Sequence, residues 1–319
     1  MTEITYCIHW LSVVVDAPKT YGFMLYGMFF KDLFGELQSM GHGGRGFQEI
    51  WMSLLGFKMY DAPYREGPEY FHFEIPGQAC ELIDWKIFQG LDDVLRNNYP
   101  DGYRYTRLDF AFDNLPFTPL DVEEAITNEK VRSLAKRETM TVYKTPFEKK
   151  ENGEIGTHTV NFSSRMSERM IRVYNRRGFT RLELEMKSRR SDLVAKEILG
   201  ASDVSEWLPI AISHLRDYVD FEAVWWQEFV NGVGRAKAIV STPREITLER
   251  MDAWLDRQVA VPLSIIHDVR RDSYVTKLLT RGREKRMRGN KYDLLYKHLE
   301  EQWRRPNEDE LEKKEDKDD

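Results

Sequence analysis

Hydrophobic positions recur with period two along some stretches of the chain and with helical spacing along others. Residues 8–15 form an apolar, β-type run, and residues 21–37 (YGFMLYGMFFKDLFGEL) have helical spacing. Gly41, Gly43, Gly44 and Gly46 mark a turn. The pattern then predicts strands over 47–53, 57–60 and 70–75, a break at Gly77 and a helix over 79–97. The second half repeats this order. Residues 107–113 (RLDFAFD) alternate strictly, and Thr118-Pro119 opens a helix over 120–127. Strands follow over 139–144, 158–163, 170–175 and 180–187, then a helix over 191–199. Each half therefore reads strand, helix, antiparallel strands, helix. An α+β fold built from two related halves, about 1–100 and 101–205, is the expectation. Beyond residue 205 helical spacing dominates, over 206–226, 248–259, 263–279 and 292–303, with Pro243 and Pro262 as punctuation. That predicts a helical second domain over 206–304 and a disordered acidic tail over 305–319.

Alternation also assigns faces, because residues two apart on a strand share a side. Arg107, Asp109, Ala111 and Asp113 point one way, with Leu108, Phe110 and Phe112 toward the core. In RLELEMK, Arg181, Glu183, Glu185 and Lys187 share a face. Arg172 and Tyr174 lie together in MIRVYN, and His72 and Glu74 in YFHFEI. If these strands join one sheet, Asp109, Glu183 and Glu74 converge. Clustered carboxylates repel one another, and a divalent cation with a taste for oxygen, Mg²⁺ or Mn²⁺, relieves the repulsion. Alternating Arg and Glu also arise as plain cross-strand ion pairs. An Asp inside a strand is less ordinary, since Asp is depleted there.

Composition narrows the class. The 319 residues are 41% hydrophobic and 31% charged, with 8 Trp, 15 Tyr and 17 Phe, enough bulk for a real core of two domains. Wholesale disorder, collagen and coiled coil are excluded. No stretch approaches ~18 consecutive apolar residues, so no membrane partner is expected. Glu3 before the first apolar run, without a basic segment, reads as a first strand rather than a signal peptide. Cys7 and Cys80 have no paired metal spacing, which suits a reducing cytoplasm.

The net charge of −6 hides its distribution. Residues 306–319 carry eight acids and three lysines, leaving 44 basic and 45 acidic residues before them. Within that balanced body, residues 163–190 hold nine Lys/Arg against three acids, and 267–305 hold twelve against six. Two basic stretches point to a polyanion, DNA or RNA first, although one such stretch is equally a solvated face. Arg165, Arg169, Arg176 and Arg177 crowd around Tyr174 and are candidate DNA contacts. A phenol can attack phosphorus when a cation neutralises the phosphate oxygens and arginines spread the developing charge. The ester so formed keeps the energy of the broken bond and allows rejoining without ATP. Other chemistry is poorly served. The histidines at 9, 42, 72, 158, 214, 267 and 298 are scattered, no G-x-x-x-x-G-K-[ST] occurs, and GHGGRG reads as a turn.

The segment NFSSRMSERMIRVYNRR, followed by FTRLELEMKSRRSDLVAKEIL, resembles the hallmark of the Rep-trans, or replication initiation factor, family: rolling-circle initiators of plasmids, related phage proteins and NicK-like relaxases of conjugative elements. TRLDFAFD, EIPGQAC and MDAWLDRQVAVPLSIIHD are similar to further family segments, in the same order over most of 4–290. The resemblance implies a metal-dependent enzyme that nicks and rejoins one DNA strand at a single-stranded or cruciform origin, in a bacterial cytoplasm. Tyr174 matches the nucleophile, which leaves a 5′-phosphotyrosyl adduct and a free 3′-hydroxyl. Asp109, Glu183 and Glu74 match acidic positions assigned to Mg²⁺ or Mn²⁺, and Arg172 and Arg181 are expected to hold the scissile phosphate. A host helicase and a second copy of the chain are candidate partners. Three departures stand out: Arg176 replaces a lysine, Pro76 a serine, and His9, read as the first-half counterpart of Asp109, an acid. The rival readings are a DNA-binding replication regulator without catalysis, and a metal nuclease that uses water.

Overall fold

The computed structural model describes residues 4–64, 67–145, 157–176, 178–236 and 259–287, with the single positions 252, 255, 256, 296 and 300. Twelve strands are found among them: β1 (Thr5–Val15), β2 (Gln38–Ser39), β3 (Phe47–Met52), β4 (Lys58–Pro63), β5 (Phe71–Ile75), β6 (Tyr103–Asp113), β7 (Val131–Ser133), β8 (Thr141–Lys144), β9 (His158–Phe162), β10 (Arg169–Arg176), β11 (Phe179–Lys187) and β12 (Val219–Phe221). The helices are α1 (Lys19–Phe29), α2 (Lys31–Phe34), α3 (Gly77–Cys80), α4 (Trp85–Asn98), α5 (Pro119–Thr127), α6 (Ser188–Leu199), α7 (Trp207–Tyr218), α8 (Val224–Val230) and α9 (Ala260–Met287).

Ten strands form one sheet in the order β2-β3-β4-β5-β1-β6-β11-β10-β9-β8, with every pairing antiparallel. The two predicted halves meet where β1 pairs with β6. Outward from that seam run β5, β4, β3 on one side and β11, β10, β9 on the other, so a pseudo-two-fold relates the halves. Leu11 pairs with Leu108 and Ser12 with Arg107. The residue of β1 paired with Asp109 is Trp10, and His9 beside it has no partner on β6.

One face of the sheet is apolar. Leu11, Val13 and Val15 of β1, Phe71, Phe73 and Ile75 of β5, Leu108, Phe110 and Phe112 of β6, and Leu182 and Leu184 of β11 are buried in a single core. That core takes in Leu25 of α1, Leu91 and Leu95 of α4, Val122 of α5, Val194 and Ile198 of α6, Ile212 of α7 and Phe229 of α8. Helices thus cover one side, as period-two strands with one wet face require. The charged residues are left on the other.

Local chemistry explains where helices begin and end. Thr118 closes a capping box on α5: its Oγ1 accepts from the Asp121 N–H at 3.3 Å, Asp121 Oδ2 accepts from the Thr118 N–H at 2.7 Å, and Pro119 fills the first turn. The helix expected over 21–37 is two, because Phe30 leaves helical dihedrals (φ −128°, ψ −22°) to bury its ring against Phe57 and Phe73, and Gly35 at φ 75° ends the second piece. The helix expected over 79–97 is likewise divided: Asp84 starts α4 afresh by accepting from the Lys86 N–H at 2.9 Å.

The chain separates into two compact units, 1–241 and 242–319. The helical texture after residue 205 does not mark their division. Helices α7 and α8 belong to the first unit, and the short strand β12 between them, which periodicity missed, pairs with β7. In the second unit α9 carries a non-helical Arg271 (φ 63°, ψ 175°). Arg281, Arg283 and Lys285, from the basic run 281–291, are exposed on it. The tail 305–319 lies outside the described residues.

Candidate active site

The polar face of β1, β6, β11 and β10 borders a cleft of about 740 Å³, lined among others by His9, Trp10, Asp109, Arg172, Tyr174 and Glu185. Cross-strand pairing brings these residues together. Asp109 pairs with Glu185, Ala111 with Glu183, Glu183 with Arg172, and Arg181 with Tyr174. His9 and Trp10 are consecutive and both reach the cleft, which plain alternation forbids. A bulge allows it: Ile8 pairs with Phe110 and Trp10 with Asp109, so His9 is the extra, unpaired residue.

At the centre the Tyr174 hydroxyl donates to Glu183 Oε1 at 2.6 Å. The same oxygen lies 3.0 Å from His9 Nδ1, and Glu183 Oε2 lies 2.6 Å from Arg172 Nη2. Burial opposes the charge on Glu183. The hydrogen bonds from His9 and Tyr174 and the positive charge of Arg172 outweigh it and hold the carboxyl at about 2. Burial and then the Glu183 charge push the Tyr174 phenol well above its usual range, against the pull of Arg181 and Arg172. The resting pair is thus a neutral phenol on an ionised carboxylate. The imidazole is seated by a neighbour's lack of a side chain: a Cβ on Gly77, in the EIPGQAC turn, would lie 2.5 Å from the His9 ring.

A second charged group lies beside the first. Arg107 grips Asp109 with two bonds, Nε to Oδ1 at 2.9 Å and Nη2 to Oδ2 at 2.6 Å, while Nη2 also donates to Glu185 Oε2 at 3.1 Å. Its guanidinium stacks 4.1 Å above the Trp10 ring, and Lys187 Nζ sits 2.6 Å from Glu185 Oε1. Burial lifts Asp109 to about 6 in spite of Arg107, helped by the charges of Glu185 and Glu183.

The cation set expected from sequence, Asp109, Glu183 and Glu74, is not brought together. Glu74 is on β5, with β1 between it and β6, and it is held by Arg45 at 2.6 Å and Lys58 at 3.0 Å outside the cleft. Among the described residues no three His, Cys, Asp or Glu side chains are grouped to hold a metal ion. What faces the cleft is Asp109 and Glu185, oxygen donors suited to a hard divalent cation, with a guanidinium already between them.

The arginines divide. Arg172, Arg176 and Arg165 line the cleft. Arg181 is 2% exposed and does not line it; Asp113 holds it through two bonds of 2.5 Å. Arg169 projects to the opposite, helix-covered side. It pairs with Asp217 at 2.7 Å and lies 4.3 Å over the Tyr218 ring, so it fastens α7 and is removed from the candidate DNA contacts. Arg177 lies outside the described residues. Sequence reasoning passed over Arg107, Glu185 and Trp10. For Arg107 and Glu185 the signal was present, since they share faces with Asp109 and Glu183; Trp10 needed the bulge.

Residues 103–280, more than half of the chain, match the family model described as replication initiation factor. The solved structure of a rolling circle replication initiator protein from Geobacillus stearothermophilus is similar, with a TM-score of 0.57 at 20% identity, over 73% of this chain and 98% of that chain. No curated protein matches.

Proposed function

The chain belongs to the replication initiation factor family, and from that premise we propose that it nicks and rejoins one strand of DNA, with Tyr174 as the nucleophile. The observation that carries this reading is the 2.6 Å bond from the Tyr174 hydroxyl to Glu183, at the wall of a cleft edged by Arg172, Arg176 and Arg165. A nucleophile on a base that further groups orient is the usual sign of covalent catalysis.

In the reaction the Tyr174 oxygen bonds to phosphorus and the bond from phosphorus to the 3′ oxygen breaks. The strand is left with a 5′-phosphotyrosyl ester and a 3′-hydroxyl, which takes its proton from solvent. The phenol proton passes to Glu183. Arg172 serves both ends of this step: as it turns toward the phosphate to share the developing charge, Glu183 loses its strongest ion pair and becomes a better base. Rejoining is the reverse, with the 3′-hydroxyl attacking the ester. His9 keeps Glu183 aligned throughout.

Mg²⁺ or Mn²⁺ would be held by Asp109 and Glu185, with Arg107 giving way, and would neutralise phosphate charge. Glu183 is then the proton acceptor rather than a ligand. The Asp109→Asn, Glu185→Gln double variant should lose the heat of Mn²⁺ binding in calorimetry; full retention removes the two acids from this role. The main test is a labelled single-stranded origin oligonucleotide incubated with protein and Mn²⁺, then run on a denaturing gel. A protein-linked product absent from Tyr174→Phe is expected. Cleavage that survives in Tyr174→Phe without an adduct means that water is the nucleophile. Binding without cleavage under any metal means a DNA-binding regulator.

A further inference from the structure

One oxygen atom near Tyr174 has an environment made for a phosphate. Glu81, which follows α3, places Oε1 2.6 Å from Arg176 Nη2, 3.4 Å from Arg181 Nη1 and 3.4 Å from His9 Nε2. Three cationic or donor groups from three different strands meet at that point. Two of the three are held independently of Glu81. Arg181 is fixed by its paired bonds to Asp113, and His9 by Glu183 and the bare backbone of Gly77. The site is therefore organised without Glu81, whose side chain is about one-third exposed. Arg176, His9, Gly77 and Gln78 line the cleft, so the position opens onto it, and Arg181 is the cross-strand neighbour of Tyr174.

We propose that His9, Arg176 and Arg181 form a second phosphate site, for a phosphodiester group of the bound strand adjoining the one Tyr174 attacks, and that Glu81 occupies this site until the strand displaces it. This rests on the strand-transfer reading. A fork of guanidinium groups suits two phosphate oxygens better than one carboxylate oxygen, and phosphate brings more negative charge, so the exchange favours DNA. Glu81 acts as an internal competitor: it shields buried positive charge in the free protein and sets a threshold that weak or stray anions do not pass.

The test uses the full chain carrying Tyr174→Phe, which binds without chemistry, and a fluorescent single-stranded oligonucleotide read by anisotropy. Glu81→Gln keeps the shape of the side chain and removes the competing charge. It should tighten binding about tenfold, the scale of one charge-assisted contact no longer contested. Arg176→Ala should weaken binding and lower the slope of log affinity against log salt by about 0.7, one phosphate contact on a single strand. In the Glu81→Gln, Arg176→Ala combination the gain should vanish. Unchanged or weaker binding by Glu81→Gln overturns the proposal and leaves the nicking reading standing, since the oligonucleotide still binds. No binding by the Tyr174→Phe protein at any salt sinks both.

Discussion

Replacing Glu183 by glutamine probes the centre of the site through two independent readouts. Glutamine has the shape of a protonated glutamate, so the variant approximates the wild-type site with its charge removed. Glu183 is held at about 2 against an ordinary value of 4.5, a shift that corresponds to roughly 3 kcal/mol of stability. The sign follows from the depressed value: the contribution is present in full above about 4.5, the unfolded value, and is lost as pH falls from there through about 2. In urea melts at pH 7, Glu183→Gln should therefore be less stable by roughly 3 kcal/mol, and the gap from wild type should close as the pH is lowered below about 4.5. The second readout is chemical. An amide cannot take the phenol proton, so adduct formation should slow by about 10²–10⁴-fold at saturating oligonucleotide. Comparable rates for the two proteins, with the variant shown to be folded, would remove Glu183 as proton acceptor. Equal stabilities at pH 7 would show that His9 and Arg172 do not hold its charge.

Gly77→Ala drives a methyl into the His9 ring and should cost about 1–3 kcal/mol in a thermal or urea melt while slowing the nick more than Tyr174-independent DNA binding; equal loss of both would mean simple misfolding. His72 is buried and held at about 4, so the fold excludes its charged form, and stability that is full above about 6.5 is lost as pH falls toward about 4. His72→Gln should erase about 2 kcal/mol of wild type's decline between pH 7 and pH 5, read as the difference between the two proteins' urea melts; parallel declines would contradict this. Arg169→Ala should destabilise by about 2 kcal/mol, as loss of a charged hydrogen bond in a partly buried pair does, with no change in the salt dependence of DNA binding, whereas Arg165→Ala should lower that slope by about 0.7 at little cost in stability. The opposite pattern would return Arg169 to the DNA contacts.

How much of this was legible in the chain depends on the length scale of each feature. Period-two alternation is local, and it placed Tyr174 with Arg172 and Glu183 with Glu185 on shared faces, as the register confirms. The capping box at Thr118 is equally local. Strand order is not. Glu74 looked like a third acid because its strand alternates as the others do, but β1 separates it from β6 and two basic residues claim it. Register shifts are also invisible in a pattern, so alternation gave no sign that His9 is the unpaired residue of β1. The helical spacing over 206–226 concealed β12, whose three residues are too few for any period to register and whose pairing with β7 is a tertiary fact.

The extra residue in β1 also constrains how such chains can change in length. Delete His9 and the strand regains even alternation, with Ile8 in the core and Trp10 toward the cleft, yet nothing from that strand reaches the hollow above Gly77. Glu183 would lose the imidazole and keep Arg172, Tyr174 and the more distant Arg181. A chain of this design can thus exchange many side chains along its first strand, but it cannot shorten that strand by one residue without finding the carboxylate a new support from elsewhere.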